Sequence, residues 1–200
     1  MAPADEPPTL RDNAMERFPV PDFEDLPPDL QERIAEETDQ AGFTPNVFSA
    51  MAHRPEQFRA FFRYYDAIHE GSSLAPEEIE MIIVAVSGTN DCYYCIVAHG
   101  ALLRISAEAP LLADQIAANH RIAEISEQHR AMLDFAVKLT ESPGRVDGND
   151  LEALRDVGFS DKEVWDIASV VALFNLSNRM ATVADIRPNE EFYGMARDQS

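Results

Sequence analysis

Positive charge is scarce in this chain of 200 residues, because 16 lysines and arginines stand against 36 aspartates and glutamates, for a formal net charge of −20. Nucleic acids and anionic membranes are bound through positively charged surfaces, so neither is expected as a partner. No apolar run approaches the roughly 20 residues that span a bilayer. Residues 1–6 lack the basic and then apolar pattern of a secretion signal. We therefore expect a cytoplasmic protein.

Cysteine is nearly absent as well, since the chain contains only Cys92 and Cys95. A disulfide between them would close a very small loop, and such a bridge stabilises a fold far less than one that closes a long loop. In a chain without an export signal, two cysteines at this spacing indicate chemistry before they indicate a structural crosslink.

The sustained two-residue alternation that is typical of half-buried strands is also missing. From Asp29 onward, apolar residues recur every three or four positions, which predicts an all-α fold. The segment 79–87 is apolar on nearly every side, so its helix should be buried. The expected helices cover residues 29–40, 46–53, 55–70, 75–87, 92–103, 107–119, 127–140, 149–157 and 161–185.

Proline is concentrated at the start of the chain, where the first 28 residues contain seven of the 13 prolines. This stretch cannot form a regular helix. We expect residues 1–15 to be a mobile tail and residues 16–200 to form one helical domain. Phe18, Val20, Phe23 and Leu26 indicate that the later part of the proline-rich segment lies extended on the body or on a neighbouring subunit.

A weak internal repeat has an offset of 85 residues, because segment 74–79 resembles segment 159–164 and each leads into a long apolar helix. It indicates a duplicated helical hairpin in which one copy carries chemistry and the other packs. The alternative is that two buried helices look alike by chance. The polar positions of the two copies differ: Glu80, Cys92, Cys95 and His99 align with Trp165, Ser177, Met180 and Ala184.

The two cysteines are placed at the start of an expected helix. At a spacing of three residues, both thiols lie on one side of that helix and can reach each other. The positive end of the helix favours a thiolate, which is the nucleophilic form of cysteine. Asn90 or Asp91 is positioned to cap the helix.

A histidine and a glutamate accompany the cysteines. His99 follows Cys95 by one helical turn, so it can bind that sulfur and exchange a proton with it. Glu80 lies on the preceding buried helix, where a carboxylate is costly unless it has a partner. If the two helices fold back on each other, Glu80 can orient His99 or pass protons to it. Together these residues fit two-electron thiol chemistry.

The spacing Glu80-x11-Cys92-x2-Cys95-x3-His99 resembles the signature of the alkylhydroperoxidase D (AhpD-like) family, within the all-α carboxymuconolactone decarboxylase-like superfamily. Segments 17–21, 130–136 and 172–179 look like the branch of peroxidase-related proteins, so the resemblance spans about residues 16–197. It implies an AhpD-like helical bundle and a homo-oligomer, often a trimer or hexamer, that reduces peroxides.

The resemblance also implies a role for each residue of the motif. Cys95 would be the peroxidatic thiol, and Cys92 the resolving thiol and the contact for an unknown thiol or dithiol reductant. His99 and Glu80 would form the proton relay, and the hydroperoxide would be reduced without a cofactor or a bound metal. The best-known members have Ser-His between the cysteines, whereas this chain has Tyr93-Tyr94. Any role of an intervening histidine is therefore absent here.

Two other functions fit the same residues. The first is a dithiol–disulfide oxidoreductase that acts on a protein or a small disulfide. The second is a zinc-stabilised, redox-switched helical binding protein, because thiolate, imidazole and carboxylate can all ligate zinc. In that case Cys92, Cys95, His99 and Glu80 would be the ligands.

The remaining polar and aromatic residues receive structural interpretations. We expect an oligomer because an aromatic stripe on the 55–70 helix and the apolar face of the last long helix exceed what one bundle needs. The stripe comprises Phe58, Phe61, Phe62 and Tyr65.

Glu77 and Glu78 should lie in a solvated first helical turn. His53, His69, His120 and His129 are expected at the surface or in packing, and Asn175, Asn178 and Arg179 in buried hydrogen bonds.

Overall fold

Helices make up the regular secondary structure of the residues that this computed structural model describes, which are Leu10 and residues 13–197. No strand occurs within those residues, so the all-α prediction is confirmed. The helices are α1 (Pro28–Ala41), α2 (Asn46–Met51), α3 (Pro55–Gly71), α4 (Pro76–Thr89), α5 (Tyr93–Ser106), α6 (Leu112–Asn119), α7 (Glu127–Glu141), α8 (Gly148–Asp156), α9 (Asp161–Ala184) and α10 (Glu191–Gly194), with short 3-10 turns at Phe23–Asp25, His120–Ile122 and Pro143–Arg145.

Helix α4 lies at the centre of the bundle, in contact with α5, α6, α7 and α9. It begins with Pro76 in its first turn, and the Glu78 side chain accepts a hydrogen bond from the Ala75 backbone N–H at 2.8 Å. Every residue from Ile79 to Ser87 is buried. The prediction of a buried helix from its all-round apolar character is therefore confirmed.

Two helix boundaries differ from the predicted ones for local reasons. The break between α4 and α5 covers only residues 90–92, because Gly88 and Thr89 continue α4. Within it, Asp91 has a positive φ of 52°. Helix α6 begins at Leu112 instead of residue 107. Pro110 lies within the predicted helix, and a proline disfavours helical backbone in the residue before it.

Helices α4 and α9, the two copies of the sequence repeat, begin in the same way. Ser160 and Glu163 form a capping box at the start of α9, where Glu163 aligns with Glu78 of α4. The first copy continues as the α4–α5 hairpin, but the second remains one unbroken helix. Duplication of the hairpin is therefore not what the structure shows. The residues that align with the Gly88–Asp91 break are 173–176, which contain no glycine or aspartate to end the helix.

The N-terminal segment follows the body of the protein closely where it is described. Ala14 and Met15 are buried, the Arg187 backbone N–H donates to the Ala14 carbonyl at 3.0 Å, and Met15 forms an isolated bridge with Ile186. This stretch thus lies beside the chain that leaves α9. The predicted mobile tail covers residues 1–15, and of these residues 1–9, 11 and 12 lie outside the described part.

The aromatic stripe of α3 is internal. Phe58, Phe61 and Phe62 are buried, and the Phe62 ring stacks on Phe48 of α2 with a centroid separation of 4.3 Å. The stripe therefore offers no surface to a second subunit, and that part of the argument for an oligomer was wrong. Four of the exposed large apolar side chains lie on α9, at Trp165, Leu176, Met180 and Val183.

Helix α9 is also long and apolar enough to cross a membrane, judged by length and composition alone, over Asp161–Ala184. The core helix of a bundle passes the same test, and α9 contacts α3, α4, α5, α7 and α8. Its Val170, Val171 and Phe174 side chains are almost completely buried among those neighbours. We therefore describe α9 as a core helix with one exposed apolar face.

We expect this exposed face of α9 to form the contact between subunits of a homo-oligomer. Changing Leu176 and Met180 together to glutamate would place charges in that contact and should reduce the mass in solution to that of one 22.3 kDa chain. Light scattering at micromolar concentration measures the mass. Ile122→Glu, at an exposed residue before α7, is the control. A wild-type protein that is already monomeric would contradict the expectation.

Gly88 permits the close approach of α4 to α6. A Cβ atom at this position would lie 2.9 Å from the backbone oxygen of Ala117. Alanine favours helix over glycine by about 1 kcal/mol, but the clash with backbone should outweigh this, so Gly88→Ala should destabilise the fold by about 1–3 kcal/mol. Denaturant unfolding measures the change. Gly71→Ala, where nothing lies within 4 Å of the added atom, should not destabilise it.

Candidate functional site

The two cysteines lie where the chain turns from α4 into α5. Cys92 is the N-cap residue of α5, and its backbone N–H donates to the Ser87 carbonyl at 2.9 Å. The prediction that Asn90 or Asp91 caps α5 is therefore wrong. Asp91 instead has the left-handed backbone conformation that reverses the chain. Both cysteines are free thiols and are almost completely buried.

The environment makes the two thiols unequal. The hydrogen bond from the Cys95 thiol lowers the pKa of Cys92 to about 7 against the opposing effect of burial, with further help from the Cys95 backbone N–H and the Asn178 and Thr182 side chains. The neighbouring Cys92 and burial both raise the pKa of Cys95 well above its ordinary value. The hydrogen bond between the sulfurs therefore favours a single negative charge on the reduced pair, and the surroundings favour Cys92 over Cys95 as the site of that charge.

A network of amides supports this end of the site from α9. The Asn178 Nδ2 atom donates to Ser87 Oγ at 3.0 Å, and Asn90 Nδ2 donates to Asn178 Oδ1 at 2.9 Å. Asn178 thus makes the buried hydrogen bonds that the sequence predicted. Its side chain also lowers the pKa values of Cys92 and Cys95, a role that sequence analysis missed.

Glu80 and His99 meet across the α4–α5 hairpin. The Glu80 Oε2 atom lies 2.8 Å from His99 Nδ1, and the edge of the His99 ring packs against Phe174. Burial raises the pKa of Glu80, but the two nearby histidines, His99 and His69, outweigh it and hold the pKa below its ordinary value. Glu80 is therefore an ionised carboxylate inside the apolar part of α4.

His69 on α3 is the second of these histidines. Its Nε2 atom lies 3.7 Å from Glu80 Oε1, and its Nδ1 atom is 3.0 Å from the Tyr65 carbonyl. Burial lowers the pKa of His69, but the Glu80 and Tyr65 contacts outweigh it and raise the pKa above 6.5. His69 does pack, since its ring stacks on Tyr65, but the sequence analysis missed its contact with Glu80. Its spacing from Glu80 gives no signal in the sequence, because the contact depends on how α3 packs.

Two further histidines also face carboxylates. His129 Nε2 lies 3.3 Å from Glu78, and His120 Nε2 lies 2.9 Å from Asp134. Glu78 is therefore not the solvated first-turn residue that we expected. Each pair links a turn or a helix end to another part of the chain. His53, by contrast, is exposed and contacts the Phe18 ring.

A cavity of about 340 Å³ opens beside the cysteines. Cys95 and His99 both line it, whereas Cys92 and Glu80 lie behind its wall. The hydrogen bonds of the described residues do not join His99 to the Cys95 sulfur directly, so the shared cavity is what connects the two groups. Much of the wall is aromatic, formed by Phe48, Phe61, Phe62, Tyr65, Tyr94, Phe174 and Phe192.

The two tyrosines between the cysteines point in different directions. The Tyr94 hydroxyl accepts a hydrogen bond from the Val47 backbone N–H at 3.2 Å, and burial raises the pKa of Tyr94 strongly. Tyr94 therefore links α5 to α2 by a hydrogen bond at the cavity wall. Tyr93 is more than half exposed, and its hydroxyl meets that of Tyr193 on α10.

Metal binding finds no support in the geometry. Within Leu10 and residues 13–197, no three His, Cys, Asp or Glu side chains are arranged to hold a metal ion. Zinc bound by Cys92, Cys95, His99 and Glu80 would need such a cluster. The four residues instead form a thiol pair and a separate carboxylate–imidazole pair.

Comparisons with known proteins agree on one family. The model of the carboxymuconolactone decarboxylase family matches residues 55–141, which include all four residues of the motif. No protein of curated function matches the chain. An uncharacterized peroxidase-related protein from Ralstonia eutropha JMP134, solved as an alkylhydroperoxidase AhpD core, is 51% identical, with a TM-score of 0.91 over 93% of this chain and 98% of that chain.

Two further structures extend the comparison. An uncharacterized peroxidase-related protein from Silicibacter sp. TM1040 is 37% identical, with a TM-score of 0.85 over 98% of this chain and 100% of that chain. The debrominase Bmp8 is 20% identical, with a TM-score of 0.68 over 84% of this chain and 90% of that chain, a likeness of fold alone. Since the first two structures are similar over almost their whole length, the chain belongs to the AhpD-like family of the carboxymuconolactone decarboxylase superfamily.

Proposed function

We propose that this protein is a thiol-dependent peroxidase that reduces organic hydroperoxides with the Cys92–Cys95 pair. The observation that carries the proposal is the cavity that Cys95 and His99 line together, with Cys92 directly behind it. Two solved relatives that are more than 30% identical to this chain are named peroxidase-related proteins, which supports the same reaction class.

The first step is attack by the Cys95 sulfur on the terminal oxygen of the hydroperoxide. Because the surroundings favour the negative charge on Cys92, the Cys95 proton first passes to Cys92 across the hydrogen bond between them. The Cys95 thiolate then forms a bond to the terminal oxygen while the O–O bond breaks. The leaving alkoxide takes a proton from the His99 imidazolium, which gives an alcohol and a Cys95 sulfenic acid.

The second step closes the disulfide. The Cys92 sulfur attacks the Cys95 sulfur, the S–O bond breaks, and the hydroxyl group leaves as water with the proton that Cys92 had received. The products of both steps are an alcohol, one water molecule and a disulfide. One proton is taken up to recharge His99, and it is released when an external thiol or dithiol returns the pair to its singly charged reduced form.

Glu80 and His99 act as an oriented acid–base pair in this scheme. Because the His99 Nδ1 atom is bound to the Glu80 carboxylate, its N–H points there and the Nε2 atom is the one that exchanges protons. Tautomer control by a carboxylate is a general way to aim an imidazole.

The cavity indicates the kind of hydroperoxide. A volume of about 340 Å³ with a largely apolar, aromatic wall gains little from hydrogen peroxide but can bury an apolar substituent. Dithiol–disulfide exchange is the second candidate, since a pKa of about 7 at Cys92 suits it. The near-complete burial of both sulfurs favours the small hydroperoxide over a protein disulfide.

The roles of the two cysteines can be separated by trapping the sulfenic acid. With one equivalent of cumene hydroperoxide, Cys92→Ser should be labelled at Cys95 by a dimedone probe, faster than a free thiol but more slowly than the wild-type pair is oxidised, because Cys92 no longer takes the Cys95 proton. Cys95→Ser should not be labelled at Cys92. Wild-type protein should form the disulfide and escape labelling. Rapid labelling of Cys92 alone would reverse the roles, and labelling no faster than that of a free thiol in either variant would favour disulfide exchange instead.

The acid–base pair should affect the rate of the same oxidation. His99→Ala should slow it by about 10²–10⁴-fold, the usual cost of losing a positioned acid or base. Glu80→Gln should slow it less, by roughly tenfold, because an amide can still orient the ring. Stopped-flow measurement of thiol loss gives both rates. Glu77→Gln, on the same helix but away from the imidazoles, is the matched control. An unchanged rate in His99→Ala would contradict the acid–base role assigned to His99.

A further inference from the structure

One buried carboxylate in this site faces two imidazoles. Glu80 Oε2 is bound to His99 Nδ1 at 2.8 Å, while its other oxygen, Oε1, lies 3.7 Å from His69 Nε2. The two histidines come from different helices, α5 and α3. Nothing in the motif that contains Glu80 and His99 requires the second histidine.

The surroundings of His69 determine which of its nitrogens carries hydrogen. The Tyr65 carbonyl, 3.0 Å from Nδ1, can only accept a hydrogen bond, so Nδ1 must be protonated. The Nε2 atom is buried and has no partner within hydrogen-bond distance. A neutral ring would therefore direct the Nε2 lone pair at the Glu80 carboxylate, which is unfavourable, whereas an imidazolium would direct an N–H at it.

The position of His69 also separates it from the substrate. It does not line the cavity that holds Cys95 and His99, and it stacks on the Tyr65 ring at a centroid distance of 4.0 Å. Its side chain is 26% exposed, against 7% for Glu80 and 12% for His99.

We propose that His69 is a positioning residue of the peroxidase site: as an imidazolium it neutralises Glu80, and it thereby sets the negative charge against which His99 is held. This inference rests on the proposed function for its catalytic consequence, but the Glu80–His69 pairing does not depend on it. One carboxylate can balance one positive charge, so a charged His69 reduces the negative charge that faces His99.

Other charged groups near His69 are few and already paired. Asp66, on the same helix, is bound to Arg33 of α1 through two hydrogen bonds of 2.7 and 2.8 Å. Tyr65 stays neutral because burial, together with Glu80, raises the pKa of its phenol well above the ordinary value. Glu80 of α4 is therefore the group whose charge His69 chiefly meets.

The pairing can be tested by NMR titration without any measurement of activity. In wild-type protein the His69 ring should lose its proton above pH 6.5, since its pKa is raised. Glu80→Gln should lower that midpoint by about one pH unit. Glu77→Gln should leave it unchanged. A His69 midpoint that is the same in Glu80→Gln as in wild type would overturn the inference, whatever the protein catalyses.

The catalytic consequence is tested by the pH profile of single-turnover oxidation with cumene hydroperoxide. In His69→Gln, His99 faces the whole charge of Glu80, so the fall in rate at high pH should move upward by about one pH unit. His53→Gln, at an exposed histidine outside the site, should retain the wild-type profile. A His69→Gln rate lowered equally at every pH would mean a merely structural role and would overturn the inference.

The two experiments separate this inference from the proposed function. If wild-type thiols react with cumene hydroperoxide no faster than a free thiol, the peroxidase proposal fails, and the NMR titration still decides whether His69 neutralises Glu80. If oxidation is fast but neither the His69 midpoint nor the pH profile responds to the substitutions, the peroxidase proposal stands and the role of His69 is wrong.

Discussion

The burial of the Glu80 charge is the constraint on which the rest of the site depends. A carboxylate in the apolar centre of a helix must have compensating partners, or it would cost several kcal/mol or become protonated. Here the partners come from two other helices, His99 from α5 and His69 from α3. Packing of α3 and α5 around α4 is therefore coupled to the ionisation of one side chain. The same contacts that allow α4 to be buried also fix the orientation of the imidazole beside Cys95.

Negative charge at Cys92, which lies on the same α4–α5 hairpin as Glu80, is stabilised in a different way. The Cys92 thiolate lies at the start of α5, where backbone N–H groups and the helix dipole favour an anion. The Cys95 thiol and the Asn178 side chain add hydrogen bonds. The imidazoles stabilise the Glu80 carboxylate, whereas hydrogen-bond donors stabilise negative charge at Cys92. His99, which lines the cavity with Cys95, is the group that connects the acid–base pair to the thiols.

Much of this arrangement could be predicted from the sequence because the signals are local. The all-round apolar character of Ile79–Ser87 predicts a buried helix, and the spacing from Glu80 to His99 predicts two helices that meet across a hairpin. His69 could not be predicted in this way, since the packing of α3 against α4 brings it to Glu80. The expectation that the aromatic stripe of α3 contributes to a subunit contact was wrong for the same reason. Its spacing shows a buried face but cannot show whether the covering surface belongs to the same chain or to another.

The relation between α4 and α9 shows how the site is divided between the two copies of the repeat. The helices contact each other, and Asn90 and Asn175, which align at the offset of 85 residues, are joined by a hydrogen bond of 3.2 Å. The first copy breaks after α4 and places both thiols at the start of α5. Because the second copy continues unbroken, its residues 177–182 run past the cysteines, and Ser177, Asn178 and Thr182 act on the two thiols from there. The copy that lacks cysteines therefore does more than pack. It supplies side-chain donors that favour a thiolate, so the pKa values of the pair depend on both helices.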